Sequence, residues 1–197
     1  MTLETLRARL AVLALAALAL AAPAAAQSMQ LGSPKAPVTV VEYASVGCPH
    51  CATWATKVFP AFKARYVDTG KVRFEFREML TGDPQLAAAG FLVADCAPQD
   101  RYFQIVDDIF ADQAGIARGG VDALFRVAER AGMTRPRFDA CLSDAKALQA
   151  LQTRTEADAT AHHVDSTPTF LVGSQKLVGD VDLDTLTQAI ARAGRHG

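Results

Sequence analysis

Two cysteines three residues apart, Cys48 and Cys51, are the part of this sequence best suited to chemistry. Two thiols at this spacing can close into a disulfide and open again by exchange with another thiol. Pro49 and His50 lie between them. Proline favours the first turn of a helix, where its missing N–H is not needed. The sequence therefore predicts a redox-active motif, Cys48-Pro49-His50-Cys51, at the start of a helix.

Cys48 is the predicted attacking thiol of the pair. Unpaired backbone N–H groups and the positive end of the helix dipole stabilise a thiolate at a helix N-terminus. His50 adds a donor or a positive charge beside the same sulfur, and Cys51 lies one turn further in. We therefore expect the pKa of Cys48 to fall from about 8.5 into the range of roughly 3.5 to 7.5. Such a thiolate stabilises the reduced form and makes the disulfide a stronger oxidant.

Two other interpretations of the motif stay open at this point. A purely structural disulfide is one, although a bridge at this spacing closes a very short loop and removes little chain entropy. A zinc site is the other, but it needs four ligands, and the sequence has no second closely spaced cysteine pair. We therefore predict no metal and no cofactor.

The first 26 residues have the composition of an export signal. Arg7 and Arg9 precede an uncharged apolar run over 10–22, and small residues follow Pro23. As a helix this run covers only about 20 Å, less than the ~30 Å of a bilayer core. We predict a cleaved signal peptide over 1–26 and an oxidising compartment for the mature protein. An uncleaved N-terminal anchor is the alternative.

The rest of the chain reads as an α/β fold interrupted by helices. A lead-in over 27–36, predicted to be flexible, precedes a βαβ unit over 37–82, whose two strands must be parallel. Apolar residues at helical spacing predict an all-helical insert over 83–163. Strand character returns in 164–197 as a hairpin, followed by a final helix.

The other two of the four cysteines, Cys96 and Cys141, fall in the predicted helical insert. An even number of cysteines in an exported chain suggests disulfides. We favour a structural bridge that joins two helices and contributes about 2–4 kcal/mol. A second redox pair is the alternative.

The charged residues argue against one class of partner. The formal net charge is −1, and acidic and basic residues are mixed along the chain. Because no basic stripe with interleaved aromatic residues is present, we expect no nucleic-acid partner.

The Cys48-Pro49-His50-Cys51 motif, the order of the elements and a second motif, Thr167-Pro168, together resemble the DsbA-like thiol:disulfide oxidoreductases of the thioredoxin superfamily. The resemblance covers 35–195, including the position of the helical insert. It implies a thioredoxin fold and a periplasmic dithiol oxidase that donates its disulfide to reduced exported proteins. A quinone-linked membrane partner of the DsbB kind would then reoxidise the dithiol.

The resemblance also assigns roles outside the dithiol. It implies that the peptide bond between Thr167 and Pro168 is cis and faces the dithiol. The backbone there would bind an extended substrate by strand addition, with the target cysteine near Cys48. Glu42 matches the buried acidic position of thioredoxin-like proteins, where it would exchange a proton with Cys51. A solvated glutamate is the alternative.

Two other functions stay open. The first is a disulfide isomerase or reductase of the same fold, kept reduced by a different partner. Isomerases of this superfamily usually carry an N-terminal dimerisation arm, and only 27–36 lie between the predicted cleavage site and the first strand. We therefore expect a monomeric oxidase. The second is a non-enzymatic thiol metal carrier or chaperone, which would bind Cu(I) or Zn²⁺ and transfer disulfides weakly.

Overall fold

The computed structural model describes residues 29–195, in which five strands form one sheet of order β1-β3-β2-β4-β5. The predicted signal peptide over 1–26 lies outside the described residues. Central strand β2 is parallel to β3 and antiparallel to β4, while β1 and β5 are antiparallel edge strands. The strands are β1 (Met29–Leu31), β2 (Val38–Ala44), β3 (Val72–Glu78), β4 (Thr169–Val172) and β5 (Gln175–Val178).

β2 is central because its side chains are apolar enough to be covered on both faces. Val40 and Ala44 are fully buried, and β-branched residues suit such a strand. Val40 pairs with Phe74 on the parallel side and with Val172 on the antiparallel side. The predicted βαβ unit with parallel strands is confirmed, and the end of β2 leads directly into the dithiol motif.

The lead-in forms the edge strand β1, so the prediction that 27–36 is flexible is wrong for Met29–Leu31. Met29 pairs with Phe76 and Leu31 pairs with Phe74 in an antiparallel register. Both apolar side chains pack against the core. Three residues are too few for an alternation of apolar and polar side chains to distinguish a strand from a loop.

The connection from β2 to β3 is broken into three pieces. Helix α1 (Pro49–Lys57) ends before α2 (Phe59–Phe62), and a π-helical turn (Lys63–Val67) follows. The sequence predicts one helix kinked at Pro60. The structure places the break at Val58. Pro60 has no N–H to continue the hydrogen-bond ladder of α1, and it lies in the first turn of α2.

The insert is helical as predicted, with one difference in its third helix. The sequence begins that helix at Val121, whereas in the structure helical residues already start at Gln113 and Gly120 interrupts them with φ +61°. No helix within residues 29–195 is long and apolar enough to cross a membrane. The remaining helices are α3 (Pro84–Cys96), α4 (Tyr102–Ala111), α5 (Gln113–Arg130), α6 (Arg135–Leu142), α7 (Ala145–Ala161) and, after the hairpin, α8 (Leu183–Ala193).

A buried polar cluster joins the insert to the sheet. Glu78, at the end of β3, accepts hydrogen bonds from the Tyr102 hydroxyl at 2.8 Å and from Arg154 Nε at 2.9 Å. Arg154 also pairs with Asp95 of α3. Burial, followed by the charge of Asp95, raises the pKa of Glu78 to about 7. Helices α3, α4 and α7 are thus anchored to one strand by groups that satisfy each other.

A disulfide adds a covalent connection inside the insert. The structure joins Cys96, the last residue of α3, to Cys141 of α6, with a Cα–Cα distance of 6.1 Å. Their separation of 45 residues makes the bridge a substantial restriction on the unfolded chain. The bridge leaves Cys48 and Cys51 as the free thiols among the described cysteines.

Removing this disulfide should lower the free energy of unfolding by about 2–4 kcal/mol, because the unfolded chain regains the entropy of the open loop. The variant Cys96→Ala/Cys141→Ala is compared with its parent by urea unfolding. Both carry Cys48→Ser/Cys51→Ser, so they differ in one disulfide alone. Equal free energies of unfolding would contradict a stabilising role.

Candidate active site

The dithiol lies where β2 runs into α1. Cys48 is the N-cap of α1, with an extended backbone (φ −98°, ψ 121°), and its N–H donates to the Ser45 carbonyl at 3.0 Å. An N-cap side chain normally offers an oxygen to the N–H groups of the first helical turn. Cys48 makes no such side-chain cap bond, but the backbone N–H groups of His50 and Cys51 act on its sulfur and lower its pKa. Pro49 stands at the first helical position, as its missing N–H predicts.

Hydrogen bonds lower the pKa of Cys48 to about 5. The largest contribution comes from the Cys51 thiol, which donates to the Cys48 sulfur, and burial acts in the opposite direction. The Thr167 side chain and the two backbone N–H groups of the first turn lower the pKa further. The predicted reactive thiol is therefore an anion at neutral pH, and the hydrogen bond from the second thiol contributes most to lowering its pKa.

Cys51 has the opposite character. It is fully buried, and the Ser45 N–H approaches its sulfur at 3.5 Å. Its hydrogen bond to Cys48, then burial, then the charge of Glu42 raise the pKa of the Cys51 thiol far above its usual value. The proton of the reduced pair thus resides on Cys51 and the negative charge on Cys48, which lies closer to the surface.

The His50 ring does not have the role that the sequence predicts for it. The prediction puts a donor or a positive charge beside the Cys48 sulfur. In the structure the ring is 68% exposed and its Nδ1 lies 3.0 Å from Asp180, in the loop between β5 and α8. The effect of His50 on Cys48 comes from its backbone N–H. The sequence gives no sign of Asp180 as a partner, because 130 residues separate it from His50.

The Thr167-Pro168 bond is cis, which confirms what the resemblance implies. Pro168 is buried at the start of β4, next to the central strand. The Thr167 carbonyl oxygen lies 3.5 Å from the Cys48 sulfur and accepts from it when it carries a proton. The loop before β4 therefore faces the reactive thiol, although 119 residues separate Cys48 from Thr167.

Glu42 is a buried carboxyl on the central strand, only 3% exposed, and not the solvated glutamate of the alternative. Burial, then the charges of Asp107 and Cys48, raise its pKa well above the usual value. Glu42 and Asp107 line one narrow pocket together with aromatic side chains such as Trp54 and Phe110. This environment keeps a proton on Glu42.

Comparison with known proteins places this site in a family. The model of the thioredoxin family matches residues 24–192. The chain belongs to that family. A protein of Rickettsia conorii is 30% identical to this chain over 168 residues. Its curated name provisionally describes it as a protein-disulfide oxidoreductase. The match covers 84% of this chain and 60% of that relative, so the chain spans less than two thirds of the relative's length.

Solved structures of other proteins share the fold over most of the chain. The crystal structure of Wolbachia pipientis alpha-DsbA1 has a TM-score of 0.77 at 25% identity, covering 91% of this chain and 95% of that one. A protein-disulfide isomerase from Novosphingobium aromaticivorans has a TM-score of 0.68 at 26% identity, covering 84% and 97%. These similarities confirm the resemblance to the DsbA-like branch and the predicted fold class.

The structure adds a residue to this thioredoxin-family site that sequence analysis missed. Gln113, the first residue of α5, donates through Nε2 to the Val46 carbonyl at 2.7 Å and to the Cys48 carbonyl at 3.1 Å. It thereby ties the insert to the loop that carries the dithiol. No sequence motif surrounds Gln113, so only its contacts in the structure reveal its role.

Replacing Cys51 by alanine should raise the pKa of Cys48 from about 5 toward the ordinary thiol value, because the largest stabilising donor is lost. Cys51→Ser keeps a donor and should keep the pKa closer to that of the parent. The measurement is the ultraviolet absorbance of the thiolate against pH. Equal shifts in both variants, or an ordinary pKa in the parent, would refute this account of the site.

The same pKa has a consequence for stability. Because the pKa of Cys48 is lower in the folded reduced protein than in the unfolded chain, its thiolate stabilises the fold. That contribution is complete above the unfolded value near 9 and is lost as the pH falls through about 5.

Proposed function

We propose that this chain is a thiol:disulfide oxidoreductase that acts as a dithiol oxidase on exported proteins. One observation carries the proposal: Cys48 is held as a thiolate with a pKa near 5 while Cys51 keeps its proton. A stabilised thiolate lowers the free energy of the reduced form, so the disulfide accepts electrons more strongly. The curated name of the Rickettsia relative supports the general thiol:disulfide oxidoreductase activity, and the oxidase direction is part of the proposal.

The reaction begins with the Cys48–Cys51 disulfide. A substrate thiolate attacks the Cys48 sulfur, a new sulfur–sulfur bond forms, and the bond to Cys51 breaks with Cys51 leaving as an anion. A second substrate thiolate then attacks the substrate sulfur of this mixed disulfide, and Cys48 leaves as its stabilised thiolate. Two electrons pass from the substrate to the protein, and the substrate gains one disulfide.

Glu42 supplies the proton that the first step requires. Cys51 leaves as an anion in a buried site that strongly favours its protonated form. Glu42 carries a proton because burial raises its pKa, and once it ionises its carboxylate raises the pKa of Cys51 and so favours the protonated thiol. Transfer of that proton leaves a Cys51 thiol and a Glu42 carboxylate, which regains a proton from solvent before the next cycle.

Thr167 and Pro168 hold the substrate. The Thr167 carbonyl lies beside the Cys48 sulfur, just ahead of β4. An extended peptide that pairs with this backbone places its own cysteine within reach of Cys48, and the peptide bonds provide affinity without regard to sequence. Such recognition suits an enzyme that acts on many reduced proteins.

The location and the electron acceptor follow from the same proposal. The export signal predicted over 1–26 would place the mature protein in the periplasm, where disulfides persist. A quinone-linked membrane protein of the DsbB kind would take the electrons from the reduced dithiol, and the oxidase would act as a monomer. The separation of charge between Cys48 and Cys51 fits this cycle, because the thiolate of Cys48, the sulfur closer to the surface, is the group that attacks the reoxidising partner.

The oxidase direction is tested by equilibrating the dithiol with glutathione buffers, using Cys96→Ala/Cys141→Ala so that one redox pair remains. The reduction potential should lie well above the roughly −270 mV of thioredoxin, toward the about −120 mV of a strong oxidant. A value near thioredoxin would favour a reductase. An intermediate value with efficient repair of scrambled substrates would favour an isomerase, the activity named for the Novosphingobium relative.

Transfer to a reduced peptide provides the control. Cys48→Ala should abolish transfer. Cys51→Ala, mixed with the same peptide in its oxidised form, should accumulate a mixed disulfide: the Cys48 thiolate attacks the peptide disulfide, one peptide sulfur bonds to Cys48, and the other leaves as a thiolate. Tight Cu(I) or Zn²⁺ binding with little transfer by the parent would instead favour a metal carrier. Full transfer by either variant would contradict the roles assigned to the two sulfurs.

Glu42→Gln should slow formation of the mixed disulfide by about one to two orders of magnitude at neutral pH, because the amide cannot supply a proton to Cys51. Rapid-mixing measurements with a reduced peptide separate this step from the second. Glu129→Gln, an exposed residue at the end of α5, is the matched control. Equal rates for the parent and Glu42→Gln would remove the proton-transfer role.

A further inference from the structure

Thr81 contacts the active site from the loop that follows β3. Its Oγ1 lies 2.6 Å from Thr167 Oγ1, and both residues are half-buried. We propose that the Thr81 hydroxyl is a positioning group of the dithiol site: it donates to Thr167 Oγ1 and thereby directs the Thr167 hydroxyl at the Cys48 thiolate. The inference rests on the proposed function and adds to it a residue that sets how strongly the disulfide oxidises.

The backbone around Thr81 is fixed to the dithiol loop on both sides. The Ser45 hydroxyl donates to the Thr81 carbonyl at 2.8 Å and accepts from the Gly47 N–H at 3.1 Å. The next residue, Gly82, has φ +74°, and a Cβ there would come within 2.2 Å of the Gly47 carbonyl oxygen and 2.9 Å of Cys48 Cα. Only glycine fits this approach, so the backbone that carries Thr81 is held against the dithiol loop.

The direction of the hydrogen bond between the two hydroxyls decides what reaches the sulfur. A hydroxyl has one proton to donate and can accept others. If Thr81 donates to Thr167, the Thr167 proton is free to point at Cys48, and the pair forms a short donor chain that ends on the anion. If Thr167 donates to Thr81, no proton is left for the sulfur.

Three features favour the first direction. The Thr167 side chain is a hydrogen-bond donor to Cys48 and lowers the pKa of its thiol. The Thr167 carbonyl, 3.5 Å from the same sulfur, accepts only from the neutral thiol, so the hydroxyl is the group of the Thr167 side chain that can donate to an anion at Cys48. A chain of hydrogen bonds also polarises its members, which strengthens the last bond to the anion.

The other ionisable groups around Cys48 are independent of Thr81. Cys51 lies one helical turn further along α1, and Glu42 reaches the pair from β2. His50 turns its ring to Asp180, in the loop before α8. Since none of these side chains hydrogen-bonds to Thr81, substituting it changes the donor chain and leaves the charges in place.

The experiment is a thiolate titration of the reduced protein with Thr81→Val, which keeps the shape and removes the hydroxyl. The pKa of Cys48 should rise by about half a unit to one unit, the size of one hydrogen bond. The equilibrium with glutathione should shift about three- to tenfold toward the disulfide form. Thr81→Ser keeps the hydroxyl and should restore both values.

Two controls separate this inference from its alternatives. Thr56→Val removes a hydroxyl that bonds only within α1, so it should leave the pKa unchanged. In the double variant Thr81→Val/Thr167→Val, the pKa of Cys48 should equal its pKa in Thr167→Val alone, because both hydroxyls act through one chain of hydrogen bonds.

Each outcome has a distinct meaning. A lower pKa in Thr81→Val would show that Thr167 donates to Thr81, and an unchanged pKa would show that Thr81 has no influence; either result overturns the inference. An additive effect in the double variant would also overturn it. An ordinary pKa in the parent would instead overturn the proposed function, so the two failures are distinguishable.

Discussion

The structure depends on a sulfur anion at the N-cap of a helix. Cys48 is the N-cap residue of α1, and the Cys51 thiol, the Thr167 side chain and two backbone N–H groups stabilise its anion. Because Cys51 is buried, it cannot share the negative charge, and the proton and the charge are separated by one helical turn. The reactivity of the pair follows from this asymmetry between two residues of the same type.

The remaining architecture brings three distant segments to that sulfur. The end of β2 supplies the helix, the loop before β4 supplies Thr167 and cis-Pro168, and the insert supplies Gln113. The insert is held against the sheet by the buried cluster around Glu78 and is joined internally by Cys96–Cys141. Both features lie away from the dithiol, and they make the insert a firm support for the contacts it provides.

Much of this arrangement could be predicted from the chain alone, for a physical reason in each case. The valines of β2 and the turn residues of the hairpin specify strands by local periodicity, and β4 and β5 form the hairpin predicted within 164–197. Cys48-Pro49 favours a helix start, because within a helix proline is accommodated in the first turn, where its missing N–H is not needed. The errors lie where local signals are weak, in the three-residue strand β1 and in the helix interrupted at Gly120.

The sequence by itself determined which sulfurs react, because a dithiol at the start of a helix is a local arrangement that four residues specify. Only the tertiary structure decided which groups tune them. It turned the His50 ring to Asp180, buried Glu42 beside a pocket shared with Asp107, and set Thr81 against Thr167. These contacts join residues far apart in the chain, and their geometry depends on how the sheet and the insert pack, which no local pattern encodes.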